Sequence, residues 1–235
     1  SDPRTSDSGR MSEKLPMMVL ISSPRMRRGE ASDLEEMFDL GLDRLHLRKP
    51  DHSAKDVSKI LDKLPEKYLG RIVLHRVPEL IKEYPLAGYH HSSIESPQKV
   101  DGTSSRSFHK FSRLRESKEF LDYCFFGPVY NSISKHGYGP KVSMVEIRDY
   151  FAEDKESKRV PVFALGGIRR NKIRSLLDLG FSGVALLGAV WGKNDPVSAL
   201  EGFIKVRDLI LEESRGRSEP ESDPIRSKSS RQLPP

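Results

Sequence analysis

Toward the C-terminal end of the chain, two short apolar segments each run into glycine about twenty residues apart. The first is Val160-Pro161-Val162-Phe163-Ala164-Leu165 followed by Gly166-Gly167-Ile168. The second is Gly183-Val184-Ala185-Leu186-Leu187 followed by Gly188-Ala189-Val190. Between them, Arg169 to Gly180 has the apolar spacing of an amphipathic helix stopped by a glycine. Strand, glycine, helix, strand, glycine is the layout of the last two βα units of a (β/α)8 barrel, where phosphate is held in the loops after strands seven and eight. Glycine has no Cβ, so backbone N–H groups can come close to an anion there. The plain alternative is two ordinary buried strands with turn glycines.

The same alternation runs upstream. Strands are predicted at Met17–Ser22, Arg44–Leu47, Arg71–Leu74, Leu86–His90, Gly102–Ser105 and Tyr123–Phe126. Helices are predicted at Asp33–Leu40, Ser53–Leu61, Pro78–Glu83, Phe111–Glu119 and Met144–Phe151, with a closing helix over 197–210. With the two C-terminal segments this makes eight strands in roughly two hundred residues, which predicts an α/β chain folded as one (β/α)8 TIM barrel over residues 15–210. The weakest stretch is 91–101, which has little helical pattern. A doubly wound sheet is the alternative, and it lacks a GxGxxG after its first strand. Residues 1–14 and 211–235 are polar tails, too poor in apolar side chains to bury a core, and are predicted disordered.

Composition narrows the function classes. No apolar run reaches the ~20 residues of a membrane helix, and the polar first residues do not read as a secretory leader. A cytoplasmic protein with no membrane partner is expected. The single cysteine, Cys124, excludes an intrachain disulfide and lies in an apolar strand, where a buried inert thiol is expected. The formal charge is +6, carried by the segment between the tails. Its basic residues are scattered among acidic ones rather than clustered with aromatics, so an anionic small molecule is favoured over nucleic acid.

Functional residues of a barrel lie at the C-terminal ends of its strands. That filter collects His46, Arg48 and Lys49 after strand two, His75 and Arg76 after strand three, and His90 and His91 after strand four. It also collects Arg106 and His109 after strand five, and Tyr130, Ser132, Ser134, Lys135 and His136 after strand six. Six of the seven histidines fall in this set, a composition suited to proton transfer near neutral pH and to holding carboxylate or phosphate. His46, between Leu45 and Leu47, has a second reading as a hydrogen-bonded core residue. The set holds no carboxylate, with Glu95 the nearest, so a magnesium–diphosphate site is not expected. No histidine spacing suggests a metal triad, and no metal ligand is assigned.

Taken in order, several blocks resemble the thiamine phosphate synthase/TenI (thiazole tautomerase) superfamily over about residues 16–208. They are Arg44-Leu45-His46-Leu47-Arg48-Lys49, Gly88-Tyr89-His90, Ser105-Arg106-Ser107-Phe108-His109, Phe126-Gly127-Pro128-Val129-Tyr130-Asn131-Ser132-Ile133-Ser134-Lys135, Ala164-Leu165-Gly166-Gly167-Ile168 and Gly183-Val184-Ala185-Leu186-Leu187-Gly188-Ala189. The resemblance implies a (β/α)8 barrel with one of two activities. The synthase joins a hydroxymethylpyrimidine diphosphate to a thiazole phosphate with magnesium held by aspartates. The tautomerase aromatises a thiazole phosphate carboxylate by proton transfer without metal. Where the synthase pattern has an Asn-Asp pair after strand three, this chain has His75-Arg76. The loop after His90 has no aspartate, and the synthase lysine position falls on Pro50, one place after Lys49.

The resemblance therefore points first to the tautomerase branch. It implies His109 and Lys135 as catalytic residues and Ser132 and Ser134 as substrate-binding residues, to which the strand-end set adds His46, Arg48, Lys49, His75 and His90. It implies Gly166, Gly167, Leu187 and Gly188 as the phosphate site. No cofactor is expected, magnesium entering only with the alternative, a divergent synthase. A third reading is a barrel that binds a phosphorylated ligand without catalysis. The expected partner is a phosphorylated thiazole, and a homo-oligomer is left open.

Overall fold

The structure, a computed structural model, describes residues 17–93, 100–117, 120–131, 139–140, 142–153 and 160–216. Eight strands form one closed parallel barrel in sequence order: β1 (Met18–Ile21), β2 (Arg44–Arg48), β3 (Ile72–His75), β4 (Gly88–His91), β5 (Thr103–Phe108), β6 (Tyr123–Phe126), β7 (Val162–Leu165) and β8 (Gly183–Leu186). The pairing of Met18, Val19 and Leu20 with Val184, Ala185 and Leu186 closes the barrel, so the doubly wound alternative falls. The closure is fastened outside the ladder as well, since the Trp191 indole Nε1–H donates to the Ile21 carbonyl at 2.7 Å.

Around the barrel run α1 (Glu30–Asp39), α2 (Ala54–Leu61), α3 (Glu66–Leu69), α4 (Phe111–Glu116), α5 (Met144–Ala152), α6 (Ile173–Leu179), α7 (Gly188–Trp191) and α8 (Pro196–Gly216), with 3-10 turns at Pro78–Lys82 and Arg170–Lys172. Their starts are legible. Ser53 with Asp56 and Ser143 with Glu146 each form a capping box, in which the serine oxygen accepts the third helical N–H and the carboxylate accepts the cap N–H. Gly180, in the left-handed region at φ 117°, ends α6. The closing helix is longer than the predicted 197–210. It passes the predicted tail boundary at Leu211, its last turns held by an Arg174–Glu213 ion pair and by Ser214 Oγ bonding the Ile210 carbonyl. The rest of both tails lies outside the described residues, as do 94–99 between β4 and β5.

Two apolar clusters divide the interior. The larger fills the layer between sheet and helices, with Leu20, Leu45, Leu47, Leu74, Phe126 and Val184 facing Leu34, Met37, Ile60, Ile147, Leu176 and Leu200. The smaller lies inside the barrel: Val19, Ile21, Tyr123, Phe125, Phe163 and Ala185, with Leu165 and Leu187. Because side chains alternate faces along a strand, β2 (Arg-Leu-His-Leu-Arg) sends its leucines to the helices and its basic residues into the barrel. Cys124 is fully buried, and burial pushes its thiol up to about 12, as suits an inert packing residue. Among the described residues no helix is long and apolar enough to cross a membrane.

Candidate functional site

The C-terminal mouth opens into a cavity of about 490 Å³. Its wall includes Arg48, His75, His90, His109, Gly166, Gly167, Leu187 and Gly188 from the sequence-predicted set. Eight positions scattered over 140 residues are brought together because each lies at the end of its strand, on the same rim.

One side of the wall is backbone. Gly166 and Gly167 follow β7 with φ of 94° and 65°, a conformation that side-chain-bearing residues rarely adopt. A Cβ on Gly167 would also run into the Asn131 carbonyl and the Tyr130 Cβ, because the chain after β6 continues the pairing with β7: Val129 N–H donates to Leu165 O at 2.9 Å, and Tyr130 N–H to Gly166 O at 3.2 Å. Beside them, on the neighbouring strand, α7 starts at Gly188 directly after β8, and the Leu187 carbonyl accepts the N–H groups of Val190 and Trp191. The earlier N–H groups of such a first turn have no carbonyl within the helix to bond.

The other side is polar side chains. His109 Nδ1 contacts the Gly127 carbonyl. A carbonyl only accepts, so Nδ1 carries a hydrogen, and in the neutral ring Nε2 is the basic nitrogen. Ser105, Ser107 and His109 share one alternation along and beyond β5, and the two hydroxyls bond His90, Nδ1 to Ser105 at 2.8 Å and Nε2 to Ser107 at 3.0 Å. His75 stacks on His90 at 4.2 Å between ring centroids. His46 lies beneath them, with Nδ1 2.8 Å from His75 Nε2 and its own Nε2 2.6 Å from the Tyr123 hydroxyl. Burial, then neighbouring histidines and arginines, holds His46 and His75 well below the usual imidazole range, and His90 down to about 3. All three are neutral at physiological pH.

Arg48 and Arg76 complete this side. Burial and then the Arg76 charge lower the affinity of Arg48 for its proton, as expected of two guanidinium groups facing one cavity. Arg76 and Val77 both have positive φ, 59° and 43°. Each costs roughly 1–2 kcal/mol for a non-glycine residue, and Arg76 Nη1 reaches the Pro50 carbonyl at 3.3 Å. Among the described residues, no Asp or Glu lines the cavity.

Two predicted assignments change. Lys49 is not a substrate-facing residue. It lies one place beyond Arg48 on the opposite parity, with its ammonium buried against both Glu30 oxygens (2.5 and 2.7 Å) and the carbonyls of Ser23 and Arg25. Those contacts use its whole donor set. His46 is fully buried and does not reach the cavity wall, so its reading as a hydrogen-bonded core residue holds. A cluster that the sequence did not bring together is formed by His46, His75 and His90, whose ligand atoms lie within 4.8 Å of one another. Ser132, Ser134 and Lys135 lie outside the described residues. Sequence reasoning did not single out Tyr123, Phe125, Ser105 and Ser107. The period-two spacing from His109 back through Ser107 to Ser105 was the available signal for the serines.

The family model described as TMP-TENI, thiamine monophosphate synthase, matches residues 18–190. A thiamine-phosphate synthase of Salinibacter ruber is 34% identical over 122 residues, 52% of this chain and 51% of that protein. A putative thiamine-phosphate synthase of Geobacter sulfurreducens is 41% identical over 75 residues, 32% of this chain and 33% of that one. The chain thus spans about half the length, or less, of these two curated relatives. The crystal structure of a thiamine phosphate pyrophosphorylase from Bacteroides thetaiotaomicron superposes with a TM-score of 0.70 at 29% identity, covering 83% of this chain and 98% of that one.

Proposed function

The chain belongs to the thiamine monophosphate synthase family, and from that premise we propose that it acts on a thiazole phosphate in thiamine biosynthesis, as a tautomerase with His109 as its proton shuttle. The observation carrying this reading is a histidine of fixed tautomer on the wall of a cavity whose described lining has no carboxylate. The phosphate of the substrate lies against the backbone of Gly166, Gly167, Leu187 and Gly188. The thiazole ring lies over the floor of the cavity, and a ring carboxylate is held by Arg48 with Arg76, a pairing that planar guanidinium groups favour. His109 Nε2 takes a proton from a ring carbon and returns it to another atom of the same molecule, so nothing is gained or lost. The Gly127 carbonyl, which accepts from Nδ1–H, stabilises the imidazolium formed in between. The roles that the resemblance implies for Lys135, Ser132 and Ser134 fall outside the described residues.

A second reading, the transferase, is favoured by the names of the relatives, all three called synthase or pyrophosphorylase. Among the described residues magnesium finds no carboxylate on this rim, which offers it, besides histidines, Arg48 and Arg76, only the hydroxyls of Ser92, Ser93 and Ser107 and backbone carbonyls. One experiment separates the readings. The protein is incubated with the thiazole phosphate carboxylate tautomer without added magnesium, and in parallel with thiazole phosphate and hydroxymethylpyrimidine diphosphate with magnesium. Aromatised product from the first mixture, reduced ~10²–10⁴-fold in His109→Asn, supports the tautomerase. Thiamine phosphate from the second with none from the first replaces it with the transferase.

A further inference from the structure

Three neighbouring strands each deliver one imidazole to the same point inside the barrel. His90 is paired in register with His75, and His75 with Arg48, two residues beyond His46 on β2. All three side chains therefore face inward on the same side. His46 is fully buried and the other two are nearly so, yet His75 and His90 also form part of the cavity wall.

We propose that His46, His75 and His90 bind a divalent transition-metal ion of the zinc class at the floor of the cavity, with the fourth coordination position open to a ligand in the mouth. Three neutral imidazoles plus one open position is the donor set of a catalytic zinc site. Imidazole suits zinc, cobalt, nickel and copper, whereas magnesium and calcium want oxygens. The partners of the other ring nitrogens select the ligating ones. His46 Nε2 is occupied by the Tyr123 hydroxyl at 2.6 Å, which leaves Nδ1 on the side of His75, while His90 is bonded through both nitrogens, Nδ1 to Ser105 at 2.8 Å and Nε2 to Ser107 at 3.0 Å, and ligates by giving up the longer bond. Such oxygen partners on the far side of the ring orient metal-binding histidines.

The fit requires a small rearrangement. Metal–nitrogen bonds of ~2.0–2.1 Å in a tetrahedron put the nitrogens ~3.3 Å apart. His46 Nδ1 and His75 Nε2, now 2.8 Å apart and sharing one hydrogen, separate slightly. His90 turns its Nε2 off Ser107 and keeps Ser105. The arginines set the second condition. Arg44 and Arg48 act electrostatically on these histidines, and no carboxylate lines the cavity among the described residues, so a dication is held best with an anion beside it. The fourth ligand is therefore an anionic oxygen, a carboxylate or phosphate, that also meets Arg48. The site stands beside His109 and does not depend on the tautomerase reading.

The test uses the full chain stripped with a chelator and dialysed against Co²⁺ or Zn²⁺, with Co²⁺ also followed by its visible absorption and with acetate or inorganic phosphate added as the anion. The expected result is one ion per chain, an intense tetrahedral-type Co²⁺ spectrum that shifts with the anion, and no displacement by magnesium. His75→Gln and His90→Gln, both on the cavity wall, should weaken binding at least ~100-fold, the upper range for losing even an outer-shell partner, while His52→Gln leaves it unchanged. His46→Gln is read only if circular dichroism shows it folded. No ion retained by the wild-type chain, or retention that His75→Gln and His90→Gln leave intact, overturns the proposal.

Discussion

The inside of this barrel has two unlike halves. From β6 through β7 and β8 to β1 it is lined by Tyr123, Phe125, Phe163, Leu165, Ala185, Leu187, Val19 and Ile21, a packed apolar wedge. From β2 to β5 it is lined by Arg44, His46, Arg48, His75, His90, Ser105 and Ser107, all buried except the half-buried Arg48 and Ser107. At the mouth the apolar half presents glycine backbone and the polar half presents side chains. The contrast shows how one scaffold separates two tasks. Holding a phosphate needs only N–H groups and close approach, so hydrocarbon suffices underneath. Moving protons or binding a ring needs titratable side chains, and each buried one must find a partner or be neutral.

Four changes test that division, from the largest effect down. Lys49→Met removes one partner of a buried ion pair beside the polar half and leaves Glu30 uncompensated. It should cost about 3–5 kcal/mol of stability, read by urea denaturation, with the folded fraction binding phosphate as before; a loss of phosphate affinity at unchanged stability would return Lys49 to the site. Gly188→Asp puts a carboxylate on the glycine side. A like charge there costs several kcal/mol, so calorimetric titration should show inorganic phosphate or thiazole phosphate bound at least ~100-fold more weakly, and equal affinity would move the phosphate site elsewhere.

Tyr123→Phe sits where the halves meet and leaves His46 Nε2 without its hydroxyl. A cost of about 1–3 kcal/mol is expected from one unsatisfied buried group, and thermal melting that does not change would mean the ring nitrogen finds another partner. The last change is made by acid, and it is nil at neutral pH and grows as the pH falls. The unfolded histidines titrate near 6.5, while His90 is held down to about 3 and His46 and His75 lie below their ordinary value for the same reason. Between those limits the unfolded chain binds more protons, so stability is full above about pH 6.5 and falls as pH is lowered toward 3. His90→Gln should flatten that fall; an equally steep profile in the variant would assign it to other groups.

Much of the barrel was legible, because strands such as β6 are pure apolar runs between turn residues and their bounds follow from composition alone. The glycine side of the mouth was equally plain, since only a special backbone explains Gly166-Gly167 directly after a strand. What could not be seen was adjacency across strands. His46, His75 and His90 are 29 and 15 residues apart, and only the parallel register makes them neighbours. Lys49 failed for a different reason. Lying near a strand end was used as the criterion, but parity decides which way a side chain points, and Lys49 is one step off the parity of Arg48. Its partner Glu30 lies 19 residues away on another element, beyond any local pattern.

The seam between β1 and β8, with the Trp191 indole on the Ile21 carbonyl across 170 positions of sequence, has a consequence for how the chain comes into being. β1 leaves the ribosome before the other seven strands and must wait for β8 before its second neighbour exists. Until then a nascent sheet carries two open edges, each able to pair with the wrong chain. Contacts of that span slow the final step and make it cooperative. The barrel is therefore completed only once β8 has been made, and the clustered imidazoles of strands two to four are shut in when that last seam forms.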